Sequence, residues 1–326
     1  MKLDLKLYRG YVNDRKLVVS GHLLRSWAPD NYKLDHRGLR HAFSVFHMFR
    51  VKPLVGATVK LNFKGLKATT KTGADGYFRF SVPYDAALPS GWHTFSVTYN
   101  PGGIGIIKKA ELLKPFQGKL GIISDIDDTF LISHSNSFFK KLYVMLSKNI
   151  NKRKPFEDVV RHYRFLSLAG RRPDAGFNSF FYVSSSEYNL YEFIVEFTKL
   201  HELPKAIIKL KKIKTSLWDF FKSGRGDHNH KLEKIRHIME FYPDLDYILL
   251  GDDTQQDPYI YAEICEKFPK KIRAVYIRQT GSHKKDNIAH QMKEMQFAGA
   301  ETCYFEHSSE AIAHSKRIGL ISEALV

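Results

Sequence analysis

The sequence predicts an α/β domain, with a parallel sheet flanked by helices on both faces, preceded by an all-β sandwich. Three observations carry this. Up to about residue 115, short alternating runs are separated by Gly, Asp and Pro turns. From about residue 118, apolar runs of strand length alternate with segments of helical period. At 326 residues the chain is long enough for two cores.

In the first half, candidate strands are Lys16–Ser20, Ala57–Leu61 and Tyr77–Val82, with turns at Gly73–Gly76 and Pro89–Gly91. Short strands at this spacing predict a β-sandwich over residues 1–115. Pro101–Gly102–Gly103 marks its end, and Lys108–Gly118 carries the crossing. The stretch Leu54–Val59, followed by Thr70, Thr72 and Asp75–Gly76–Tyr77–Phe78, resembles the carboxypeptidase-regulatory-like (Ig-like) β-sandwich modules. That resemblance brings no catalytic residue. It implies a binding, positioning or purely structural unit whose protein partner is unknown.

In residues 116–326 the candidate strands are Leu120–Ser124, Phe180–Val183, Ala206–Leu210, Tyr247–Leu250, Arg273–Ile277 and Thr302–Phe305. Between them, Leu190, Phe193, Ile194, Phe197 and Leu200 share a helical face. So do Leu232, Ile235, Ile238 and Met239, and likewise Ile260, Ile264 and Phe268, with Pro258 suited to a first helical turn. A small cap-type insertion is expected at about 133–178.

Apolar residues make up 43% of the chain, and no apolar run is long enough to cross a bilayer. The start Met1–Lys2–Leu3–Asp4 does not read as a secretory signal. Two cysteines without ligand spacing argue against a disulfide framework, so a reducing, cytoplasmic location is expected. Lys and Arg number 51 against 34 Asp and Glu, a net +17. That excess calls for an anionic partner: nucleic acid, an anionic membrane surface or a phosphorylated substrate.

The chemistry sits at strand ends, where open α/β sheets place ligands. Asp125 and Asp127 follow Leu120–Ser124, and two adjacent carboxylates need a cation or a proton to coexist. Ser184, Ser185 and Ser186 follow the second strand; at a strand-to-helix turn such groups hold phosphate oxygens or cap a helix. Lys231 opens the helix before the fourth strand. After it comes Gly251–Asp252–Asp253–Thr254–Gln255–Gln256–Asp257–Pro258. There Gly251 is expected to let the chain leave the sheet, and Asp252 and Asp257 to complete an oxygen-only sphere suited to Mg²⁺.

Asp-x-Asp-x-Thr, strand–Ser, Lys and Gly-Asp-x-x-x-x-Asp, in that order, resemble the haloacid dehalogenase (HAD) superfamily of phosphotransferases, whose Rossmannoid sheet the domain would share. Ser124–Thr129, Tyr182–Tyr191, His230–Lys231 and Gly251–Tyr261 further resemble the catalytic domain of actin-patch-protein-type phosphatidate phosphatases. The chain departs from that family's usual Asn-Ser-Pro at Ser185–Glu187 and Asp-Ser-Gly at Asp252–Thr254. The resemblance implies an Mg²⁺-dependent phosphomonoester hydrolase, acting on phosphatidate or a related lipid at a membrane surface. In it Asp125 is the nucleophile and Asp127 the proton shuttle, whose main-chain carbonyl also binds the metal. Asp252 and Asp257 complete the metal site; Ser184, Ser185 and Lys231 hold phosphoryl oxygens; Thr129 orients the loop. A soluble phosphatase of a sugar phosphate, nucleotide or phosphoprotein is the alternative. A non-catalytic basic lipid- or nucleic-acid-binding protein is disfavoured by the intact acid set.

In the expected insertion, Phe138, Phe139, Leu142, Tyr143, Met145 and Leu146 form an apolar face flanked by lysines and arginines, the pattern of a membrane-surface helix or of one packed on its own domain. His228 and His230 read as loop histidines. Lys209, Lys211, Lys212 and Lys214 read as phosphate- or headgroup-binding, or as a solvated strand edge.

Overall fold

The computed structural model describes residues 2–26, 51–103, 105–126, 158–170, 176–213, 228–253, 256–280 and 285–322. Asp127, Thr129, the aromatic face at 138–146 and Lys214 therefore lie outside the described residues.

The first half contributes β1 (Lys2–Leu7), β2 (Gly10–Val12), β3 (Lys16–Ser26), β4 (Val51–Pro53), β5 (Thr58–Phe63), β6 (Leu66–Lys71), β7 (Tyr77–Pro83), β8 (Gly91–Tyr99) and β9 (Ile106–Lys114). Alternation sets the faces: in β5, Val59, Leu61 and Phe63 are buried while Thr58, Lys60 and Asn62 face water. The Asp75 carboxylate accepts the Tyr77 N–H at 3.0 Å, shaping the turn into β7.

These nine strands form one hydrogen-bonded sheet, in two groups of strands joined through β3. The eleven residues of β3 serve two edges at different heights. Along one edge it pairs with β1 and β2, along the other with β7 and β4. The parallel β2–β9 pair then joins this group to β8, β5 and β6. Both groups of strands bury one core, including Leu5, Val19, Leu23, Phe63, Phe80, Phe95 and Leu112.

The second half contributes β10 (Leu120–Ser124), α1 (Val159–Leu168), β11 (Ser179–Glu187), α2 (Tyr191–Leu200), β12 (Ala206–Lys211) and α3 (His228–Phe241). It continues with β13 (Asp246–Asp252), α4 (Asp257–Lys267), β14 (Ile272–Arg278), α5 (Lys285–Phe297), β15 (Glu301–Phe305) and α6 (Ser308–Arg317). The six strands are parallel, in the order β12-β11-β10-β13-β14-β15. Alternate strand residues feed two apolar layers, so these strands read as continuous apolar runs. Ile122, Phe180, Tyr182, Ile208 and Leu250 meet α1, α2 and α6. Ile123, Phe181, Val183, Ile207 and Leu249 meet α3, α4 and α5. The helix α1, placed by the sequence within the insertion, thus packs directly on the sheet through Val159, Tyr163 and Leu166.

The chain starts this sheet at β10, winds outward to β12, then returns to lay β13 on the other side of β10. The reversal between β10 and β13 opens a crevice at their carboxyl ends, the usual ligand position in doubly wound sheets.

The two halves share packing. Tyr8 stacks on Tyr188 with centroids 4.2 Å apart, and its hydroxyl bonds His22 Nδ1 at 2.7 Å. The Arg9 N–H donates to the Tyr191 hydroxyl at 2.7 Å, and Asn13 donates to the Phe241 carbonyl at 2.9 Å.

Candidate active site

Asp125 stands at the carboxyl end of β10, fully buried. Its N–H donates to the Leu250 carbonyl at 2.9 Å, extending the β10–β13 ladder by one bond, so the side chain sits at the switch point. Behind it, the Ser124 hydroxyl donates to the Asp125 carbonyl at 2.7 Å and meets the Tyr163 hydroxyl of α1 at 2.6 Å. Ser124 and Tyr163 are positioning residues that sequence reasoning missed. The trace of Ser124 in the sequence is a polar residue closing an otherwise apolar strand.

Lys231, in the first turn of α3, is 4% exposed and donates to Asp125 Oδ1 at 2.9 Å and to Asp257 Oδ1. Burial alone would lower its ammonium, but Asp125 and Asp257 outweigh burial and hold it well above the ordinary lysine range. Burial pushes the Asp257 carboxyl up to about 6; Lys231 opposes that rise and the Asp125 charge adds to it. Asp252, at the end of β13, is also fully buried. Its strand partner is Arg278, whose guanidinium donates to the Glu306 carbonyl at 2.9 Å and to Ser308 Oγ.

Gly251 does not release the chain, as the sequence reading expected: β13 runs through it to Asp252. A Cβ there would lie 2.3 Å from Asp257 Oδ2 and 2.8 Å from the Asp257 Cβ. The residue is glycine because the Asp257 carboxylate occupies that space. Neighbouring Asp253 is structural: it accepts from the Thr280 N–H at 3.0 Å and from the Tyr304 hydroxyl at 2.7 Å.

Ser184 is buried within β11, just after its regular pairing with β12 ends at Val183. The strand continues through the serines to Glu187 instead of turning into a helix, with a bulge between Val183 and Glu187. Ser184 Oγ accepts the Ser186 N–H at 2.9 Å, and Lys234 Nζ donates to the Ser184 carbonyl at 3.3 Å. Ser185 lies partly exposed on the bulge. His228 and His230 stand in the first turn of α3, not in a loop.

The structure therefore joins Asp125, Lys231 and Asp257 directly and sets Asp252 at the adjoining strand end. No group of three or more His, Cys, Asp or Glu that could hold a metal ion forms among the described residues, and Asp127 is outside them. The donor chemistry nonetheless fits Mg²⁺. Every candidate is a hard oxygen, and Asp257 Oδ2 is buried without a hydrogen-bond partner among the described residues. The cysteines Cys265 and Cys303 are free thiols, and no described helix is long and apolar enough to cross a membrane.

Residues 120–279 match the family model described as phosphatidate phosphatase APP1, catalytic domain. Among curated proteins, phosphatidate phosphatase APP1 of Saccharomyces cerevisiae is 26% identical over 182 residues, covering 54% of this chain. The aligned region is 28% of that relative, so the chain spans well under half of its length. A solved carbohydrate acetylesterase from Xanthomonas citri aligns over 98% of this chain and 75% of its own, at 10% identity and a TM-score of 0.36. That likeness is too slight to bear on fold or function.

Proposed function

We propose that the α/β half is an Mg²⁺-dependent phosphomonoester hydrolase of the HAD type whose substrate is phosphatidate or a related lipid phosphate. The observation that carries this is the buried Asp125–Lys231–Asp257 set at the switch point. The similarity of residues 120–279 to the phosphatidate phosphatase catalytic domain supports the lipid substrate. The same acid set speaks against a purely binding protein.

Attack on phosphorus is assigned to the Asp125 carboxylate, forming an aspartyl phosphate and splitting one displacement into two. Asp127 gives its proton to the leaving alkoxide, then takes one from the water that hydrolyses the intermediate. Lys231, released toward the substrate, offsets repulsion between Asp125 and the phosphoryl oxygens, and Ser184 and Ser185 donate to those oxygens. Mg²⁺, held by Asp125, the Asp127 carbonyl, Asp252 and Asp257, would supply Lewis-acid stabilisation of the transferring group.

The test is phosphate release by the full chain from phosphatidate in mixed micelles and from aryl and sugar monophosphates, with Mg²⁺ or with chelator. Preference for phosphatidate and complete dependence on Mg²⁺ are expected. Metal-independent turnover would overturn the mechanism, and preference for soluble esters would overturn the lipid assignment.

A further inference from the structure

On the α3 side of the sheet, beside the Ser184 end of β11, cations from both halves of the chain converge. Lys209 of β12 is paired in register with Val183 and lies on the Ile207 face. Its ammonium sits 3.9 Å from the centroid of the Tyr11 ring. The Tyr11 hydroxyl lies 2.9 Å from His237 Nε2, and Arg79 Nη2 lies 3.2 Å from the same nitrogen. Lys234, one turn before His237 on α3, reaches the Ser184 carbonyl.

Cations nearby are matched. Lys205 meets Glu111 at 2.6 Å, Lys114 meets Asp14, and Arg236 meets Glu233 at 2.5 Å. Lys209 and Arg79 meet no carboxylate among the described residues. The three N–H groups of Lys209 find no acceptor there, only the π face of Tyr11. Burial holds Lys209 well below the ordinary lysine range, with Arg79 and Lys234 adding to the shift. His237 is lowered to about 4 by burial, then by Lys209, Arg79, Lys16 and Arg236. Gathering like charges around a partly buried ammonium favours either loss of its proton or an anion that balances them.

We propose that Lys209, Arg79 and Lys234, arranged around Tyr11 and His237 at the seam of the two halves, form a second anion site that takes a phosphate group. It lies one helical turn along α3 from Lys231 and meets the catalytic phosphate position through the Lys234 contact with the Ser184 carbonyl. The phosphate comes either from an anionic lipid headgroup or from a soluble phosphate. The N-terminal sheet, through Tyr11 and Arg79, thereby contributes directly to ligand recognition.

Two probes test this on the full chain. One is co-sedimentation with phosphatidylcholine vesicles containing phosphatidylglycerol; the other is the rise in thermal midpoint with inorganic phosphate. Arg79→Ala and Lys209→Met are compared with Lys293→Ala, an equal charge loss on exposed α5. The two seam variants are expected to bind about fivefold more weakly, the equivalent of about 1 kcal/mol per cation at an anionic surface, while Lys293→Ala matches wild type. Loss in the vesicle assay assigns the headgroup; loss confined to the phosphate titration assigns the soluble ion. Equal responses of all four proteins to both probes, or equal losses in the three variants, would overturn the site. Neither readout needs turnover, so failure here is distinct from failure of the hydrolase reading.

Discussion

The crevice between β10 and β13 and the seam beside β11 and β12 lie on one sheet, yet they treat charge in opposite ways. In the crevice, a buried ammonium is clamped by two carboxylates that need it. At the seam, a partly buried ammonium rests on an aromatic ring among further cations, with no described carboxylate in contact. The first arrangement is internally balanced and suits a reacting centre with fixed geometry. The second meets no balancing carboxylate among the described residues, which suits recognition of an anion. The net charge of +17 is therefore informative only by location, since total charge does not distinguish the two regions.

Lys231→Met breaks the balanced region and should have the largest effect. Stranding Asp125 and Asp257 should cost about 3–5 kcal/mol of stability and lower turnover roughly a hundredfold or more. Chemical denaturation and single-substrate kinetics read both. Tyr8→Ala removes the stacked ring that links the halves, and should cost about 3–5 kcal/mol without altering metal dependence. A separate early unfolding step in that variant would show that the halves are independent units.

Acid should weaken the Tyr8 contact between the halves as well. His22 is fully buried and neutral, its imidazole lowered to about 4 mainly by burial. The unfolded chain binds that proton near pH 6.5, so the stabilisation from neutral His22 is complete above about 6.5. It is lost as pH falls toward 4, a change of about 3 kcal/mol. His22→Gln should flatten that part of the stability profile, measured as denaturation midpoints from pH 7 to 4.5; an unchanged slope would show that His22 is not the group responsible. Gly251→Ala should cost about 1–3 kcal/mol and reduce turnover, because the new methyl displaces Asp257. Unchanged kinetics there would mean that Asp257 is not held where catalysis needs it. The smallest stability effect is expected for Lys209→Met: within about 1 kcal/mol, in contrast to Lys231→Met, because no partner charge is stranded. Equal losses in the two lysine variants would erase the distinction between the regions.

Much of this was legible in the sequence. The central strands of the parallel sheet carry apolar runs such as Leu120–Ile123, Phe180–Val183, Ala206–Ile208 and Tyr247–Leu250, and Asp125, Lys231, Asp252 and Asp257 fall at strand ends or in the following helices. The helices α5 and α6 were not, because each buries few apolar side chains: Ile288, Met292 and Met295 in one, Ala311 and Ile312 in the other. The single continuous β-sheet was hidden because it depends on β3 serving two edges, a pairing that alternation cannot reveal. The reason for Gly251 was missed because its neighbour in space, Asp257, arrives from the next helix. Of the seam only Lys209 was legible, as one of a basic run; its company was hidden because Tyr11 and His237 are 226 positions apart and neither belongs to a motif.

The central claim, that Asp125 is the nucleophile, is tested most directly by acid-quenching the full chain during turnover of radiolabelled phosphatidate. A hydroxylamine-labile phosphate on Asp125, absent from Asp125→Asn, is the predicted result. Turnover proceeding with no phosphate on Asp125, or persisting in Asp125→Asn, would contradict it.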